Sequence, residues 1–288
     1  MTITAYILIA FVVIIIAIRL LTKNMYALKP HQHTETPEKF GIDFEAVRFP
    51  TDNQKSLYGW WVPAAVKPET ATTLILVHGW DRNLGRMLRY IQNLHPLNYN
   101  LLAFDARHHG SSDQDDHASM YKFGKDVQSA VNFVQTLQID ENRIGVIGLS
   151  LGGAGAIFAS ALHTNIRAVV TVGAPAHPVD IMTHEFKRHR IPSFLIWFIL
   201  KQVEFKIGVN FEVFAPVNNI SKSDAGFLII HGDNDGVVLP SQGEILHRAA
   251  KPGQCEFWRI PDRGHSNCHH EPGFWDKVDA FMQSTLEQ

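Results

Sequence analysis

The chain of 288 residues has only two cysteines, Cys255 and Cys268, too few for a disulfide framework. They read as two free thiols, with a single pair open only in an oxidising compartment. Charge is scarce: 19% of residues are Asp, Glu, Lys or Arg, and the formal net charge is −2. No basic stripe stands out, which excludes nucleic acid as a partner. No internal repeat and no low-complexity tract occurs, so solenoids and extended disordered arrays are excluded too. What remains is a composition, 45% hydrophobic, that suits one α/β domain with a full core.

One long apolar run breaks that picture. Ile3 to Leu21 is almost wholly hydrophobic, and about 20 such residues span a bilayer as a helix. A cleaved signal peptide is the competing reading, but no Lys or Arg precedes the run and no A-x-A site follows it. Residues 1–22 are therefore expected to be a transmembrane anchor. Arg19 lies near the C-terminal end of the run, and Lys23 and Lys29 follow it, which places the rest of the chain on the cytoplasmic face. A Pro-containing polar stretch makes 23–41 a linker, with one domain over 42–288.

In that domain, strands are expected over 44–49, 56–62, 72–78, 100–105, up to Ser150, 168–173, 227–231 and 256–260, alternating with helices from about 84, 121, 151, 243 and 274. Alternation of this kind implies a mostly parallel sheet covered on both faces, with chemistry at the C-terminal strand ends. The rhythm fails over 176–220. There Ile191 to Leu200 is apolar on every side, about ten residues and too short to cross a bilayer. It reads as a cap helix over a site, with the basic run Lys187-Arg188-His189-Arg190 placed to meet anionic lipid.

The most informative segment is Gly148-Leu149-Ser150-Leu151-Gly152, an apolar strand ending in G-x-S-x-G before a small-residue helix. That is the arrangement of a nucleophile elbow. Side chains at 148 and 152 would collide with the neighbouring strand and helix, and the turn lifts a serine hydroxyl clear of the sheet. It also aims the Leu151 N–H, at a helix N-terminus, toward a developing oxyanion. A serine nucleophile needs a base, and the base an orienting acid. His265, in Gly264-His265-Ser266, is the candidate base. Asp235 is the candidate acid, with Asp233 as its rival two residues earlier. His78 and His231 read as structural histidines at strand ends. Cys268, His269 and His270 lack a second cluster with metal spacing. Arg82 and Arg86 read as a solvated helix start.

The order Ser150, Asp235, His265 is the one used by α/β-hydrolases. With His78-Gly79-Trp80, Asp105 to Ser112, the elbow, and His231-Gly232-x-x-Asp235-x-x-Val238, the chain resembles the α/β-hydrolase superfamily, and within it the monoacylglycerol-lipase, serine-aminopeptidase-like and Bem46-like groups. The match runs from about residue 44 to the C-terminus. It implies an α/β-hydrolase fold with a helical lid, Ser150 as nucleophile, His265 as base and Asp235 as acid. It also implies an oxyanion hole from the backbone N–H groups of Trp80 and Leu151. His109 departs from the pattern, since many relatives carry glycine there. The implied activity is serine hydrolysis of carboxylic esters, with no metal or organic cofactor, and the apolar cap points to lipophilic esters. The partners expected are a small-molecule or lipid ester and the membrane. A peptidase, an acyltransferase or a non-catalytic tethered scaffold would share the fold.

Overall fold

The computed structural model describes residues 30–286 together with 5, 6, 9, 12, 13, 16 and 28. The expected transmembrane anchor, 1–22, and the start of the linker thus lie largely outside the described residues. Among the described residues no helix is long and apolar enough to cross a membrane.

Eight strands form one sheet: β1 Glu45–Thr51, β2 Lys55–Val62, β3 Thr73–Val77, β4 Asn100–Phe104, β5 Ile144–Leu149, β6 Ile166–Val172, β7 Gly226–Gly232 and β8 Cys255–Ile260. Their spatial order is β1-β2-β4-β3-β5-β6-β7-β8. β2 pairs antiparallel with both β1 and β4, and every other pairing is parallel. β2 alone therefore runs against the rest.

The helices follow in chain order: α1 Leu88–Leu94, α2 Met120–Val134, α3 Leu151–Ser160, α4 Pro178–Arg188, α5 Ser193–Ile207, the one-turn α6 Phe211–Phe214 and α7 Pro216–Asn219, α8 Ser241–Ala249 and α9 Phe274–Leu286. Strand alternation sends neighbouring side chains to opposite faces. Leu74, Leu76, Leu101, Ile147 and Val170 thus pack with Ile91 of α1 and Val278 and Met282 of α9. Ile75, Val77, Leu102, Val146 and Val169 pack on the other face with Val127 and Val131 of α2 and Ile157 of α3. Each fully buried aliphatic side chain contributes about 1.5–3 kcal/mol, so the central strands anchor the fold.

Two expectations change in detail. Part of the linker is packed on the domain: the His31 carbonyl accepts a hydrogen bond from Asn83 (2.6 Å), and the His33 ring lies 4.8 Å from that of Trp60. Its prolines and polar residues give it a loop composition, but long-range contacts hold it. The ten-residue apolar run lies almost wholly in α5, a helix of 15 residues. That helix is not buried all round. Ile196 and Ile199 face the protein, while Phe194 (74%), Trp197 (62%) and Phe205 (84%) are exposed. Positions 194, 197 and 205 fall within one narrow arc of a helix.

Candidate active site

The parallel register aligns the C-terminal ends of β3, β5, β6 and β7 at one edge: Val77 pairs with Gly148, Leu149 with Val172, and Val172 with Ile230. Ser150 stands where β5 turns into α3, at φ 51° and ψ −119°. For a residue with a side chain this backbone region costs about 1–3 kcal/mol, and it persists only where the surroundings enforce it. Here the Ser150 N–H donates to the Val172 carbonyl (2.9 Å), and the Ala154 N–H donates to the Ser150 carbonyl (3.1 Å). The flanking glycines are required sterically. A Cβ at 148 would lie 2.5 Å from the Gly152 carbonyl group, and one at 152 would lie 2.4 Å from the His78 carbonyl oxygen.

Asp235 follows β7 and is buried. Its Oδ1 accepts the N–H groups of Val237 and Val238, both at 2.9 Å, and its Oδ2 lies 2.7 Å from His265 Nδ1. Burial alone would raise this carboxyl. Hydrogen bonds from His231 and His265, the charge interaction with His265 and the Val238 amide outweigh it and hold the group well below the usual carboxylate range. An ionised Asp235 makes His265 Nδ1–H the donor, which leaves Nε2 as proton acceptor. The His265 loop is itself tied down, because the Gly264 N–H donates to Asn267 Oδ1 (2.7 Å). Asp233, the rival acid, turns away to pair with Arg259 Nε at 2.7 Å.

Three supporting residues carried little or no signal in the sequence. Fully buried His231 has Nε2 2.8 Å from the Val238 carbonyl oxygen and 3.3 Å from Asp235 Oδ2, so it braces the acid from behind. Gly173, at φ +65°, passes beneath the pair: a Cβ there would lie 3.0 Å from His265 Nδ1 and 3.2 Å from Asp235 Oδ2. His109 Nε2 accepts the Asp81 N–H (3.3 Å), while its Nδ1 donates to the Arg107 carbonyl (2.9 Å). Its ring packs 5.8 Å from that of Trp80 and 5.1 Å from that of His78. Burial lowers the pKa of His78 to about 3 and that of His109 to about 4, so both are neutral struts under the 79–81 loop. Asp105 holds the next stretch: its carboxylate accepts the N–H groups of Leu84 (2.7 Å) and Ser111 (2.8 Å), and burial pushes its pKa up to about 7.

Ser150, His265, Trp80 and Leu151 all line one cavity of about 1290 Å³. Gly79, also on its wall, approaches the elbow so closely that a Cβ would lie 3.2 Å from Ser150 Cβ. Leu151 begins α3, whose first N–H groups lack carbonyl partners within the helix. Much of the lining is apolar and comes from α2, α4, α5 and α6, including Met120, Met182, Phe186, Val203, Phe211 and Phe214. Arg82, Arg86 and His269 also border the cavity. Among the described residues no three His, Cys, Asp or Glu side chains converge as a metal site. Both cysteines are free thiols.

A family model described as serine aminopeptidase, S33, matches residues 68–204. The chain is 26% identical over 255 residues to the protein YfhR of Salmonella typhi, covering 84% of this chain and 82% of that one. It is also 26% identical over 255 residues to the protein bem46 of Schizosaccharomyces pombe, covering 87% and 80%. Among solved structures, the Pyrococcus furiosus esterase Pf2001 superposes with a TM-score of 0.74 at 21% identity, over 90% of this chain and 100% of that one. At that identity the likeness establishes a shared fold.

Proposed function

The chain belongs to the α/β-hydrolase superfamily, and from that premise we propose that it is a membrane-anchored serine hydrolase cleaving lipophilic carboxylic esters through an acyl-enzyme. The observation that carries this reading is the 2.7 Å bond from His265 Nδ1 to Asp235, on the same cavity as a serine held at φ 51°. Ser150 Oγ attacks the ester carbonyl carbon as His265 Nε2 takes its proton. The tetrahedral oxyanion forms against the N–H groups of Trp80 and Leu151, each such donor being worth about 3–4 kcal/mol to the transition state. Collapse breaks the bond to the alcohol, which leaves with the proton from His265. Water then repeats the sequence on the acyl-enzyme and releases the acid. Asp235 keeps the imidazole in one tautomer and stabilises it once protonated.

The apolar wall supports a fatty acyl chain as the acid part. Helices α4 to α7 act as the lid, and the exposed aromatic stripe of α5 rests on the membrane. Residues 1–22 anchor the chain with its domain on the cytoplasmic side. The family model's description raises a peptidase, which would use the same triad, but the apolar wall favours acyl chains.

A fluorophosphonate probe applied to the full chain tests the nucleophile: labelling is expected, and Ser150→Ala abolishes it together with roughly 10⁶-fold of turnover. Beside it, p-nitrophenyl esters of rising chain length and aminoacyl anilides test the substrate. Folded protein that takes no label would instead be a tethered scaffold. Preference for acetyl esters or anilides would remove the lipophilic-ester reading.

A further inference from the structure

The cavity wall is unevenly charged. Its two carboxylates are already ion-paired: Asp116 with Lys122, and Glu185 with Arg188. Its two arginines are not. Among the described residues neither Arg82 nor Arg86 has a carboxylate within ion-pair distance. Arg86 is fixed in place instead, because its Nη2 donates to the carbonyl oxygen of Ser266, the residue after His265. Burial, and then the charges of Arg82 and Arg89, lower this guanidinium from its ordinary value, a strain that an anion would relieve.

Position turns this charge into a substrate constraint. Resting on the proposed triad, His265 must hand its proton to the leaving oxygen, so the alcohol portion of the ester lies on the His265 side of the cavity. Arg86 stands on that side, bonded to the neighbouring Ser266, and Arg82 is two residues beyond Trp80. The apolar wall lies on the side of Leu151, where Met120, Phe211 and Phe214 cluster. We propose that the substrate is a single-chain acyl ester whose alcohol portion carries an anionic group, such as an acylglycerol phosphate. The chain fills the apolar wall, and the anion is held by Arg82 and Arg86. A guanidinium fork is well suited to phosphate oxygens. Lys206 also borders the cavity, but from α5, where its charge acts on His117. It therefore supplies the internal control.

The test measures kcat/KM of the full-length protein in mixed micelles for oleoyl glycerol phosphate and for uncharged monooleoyl glycerol. Wild type is expected to favour the anionic ester by at least about tenfold, and added salt should erode the ratio as it screens the charges. Arg82→Glu and Arg86→Gln should each bring the ratio toward one, chiefly through KM for the anionic ester. Lys206→Ala should leave the ratio close to the wild-type value. A wild-type ratio of one or less in protein that takes the fluorophosphonate label overturns the inference while sparing the hydrolase. A ratio that responds to Lys206→Ala and not to the arginine variants overturns it as well. Folded protein with neither labelling nor turnover of either ester brings down the hydrolase reading, and this inference with it.

Discussion

Gly173→Ala is the sharpest probe of how the site is held together, because it adds one methyl group and removes no functional atom. The new Cβ would lie 3.0 Å from His265 Nδ1 and 3.2 Å from Asp235 Oδ2. Relaxed contacts of carbon with such atoms begin near about 3.5 Å, so both groups must retreat by about half an ångström. They are the two ends of the 2.7 Å hydrogen bond that orients the imidazole. A misplacement of about an ångström costs on the order of 10²-fold in rate, or about 2.7 kcal/mol in the barrier. Residue 173 also sits at φ +65°, where a side chain costs about 1–2 kcal/mol. That corresponds to roughly 2–8 °C in Tm for a domain of this size.

The assay is p-nitrophenyl butyrate hydrolysis beside a circular-dichroism melt. Gly208→Ala is the control: its φ is +74°, yet nothing lies within 4 Å of its Cβ. It should lose comparable stability and little activity. Turnover by Gly173→Ala within threefold of wild type, or an equal rate loss in the Gly208 control, would refute the argument that this backbone position sets the imidazole.

Asp235→Asn should lower turnover by roughly 10⁴-fold by stabilising the wrong tautomer. Asp233→Asn removes only an exposed pair with Arg259, worth up to about 1 kcal/mol; equal losses from the two variants would reverse the assignment. Because the Asp235 pKa is lowered on folding, its stabilisation is complete above the ordinary carboxylate pKa of 3.8 and is lost as pH falls toward the folded value. Melts below pH 4 should therefore be steeper in pH for wild type than for Asp235→Asn. Burial pushes the Cys255 thiol up to about 12 and the Cys268 thiol up to about 11. Neither should react with Ellman's reagent within minutes at pH 8 unless denaturant is added; rapid native labelling would contradict that burial.

The strands and helices were legible because each is written in neighbours: apolar runs for strands covered on both faces, and helical spacing for α2, expected from about 121 and found at Met120–Val134. The elbow was legible for a similar reason, since Gly148 and Gly152 collide with backbone only one turn or one strand away. Choosing between Asp233 and Asp235 was harder. Two residues of turn separate them, and which one faces His265 depends on where the chain goes 30 residues later. The exposed face of α5 was hidden as well: ten apolar residues in a row do not reveal which of them the rest of the protein will cover.

Local sequence thus determined the elements, their alternation and the serine turn, because hydrophobic period and glycine sterics act over a few residues. Tertiary structure alone decided that His231 braces Asp235, that Gly173 leaves room beneath the imidazole, that His109 props the Trp80 loop, and that Arg86 reaches the carbonyl beside His265. These are contacts between groups 4 to 180 positions apart, and all but the closest depend on the sheet bringing separate strand ends to one edge. No local pattern encodes that convergence, since it comes from burying two apolar faces at once.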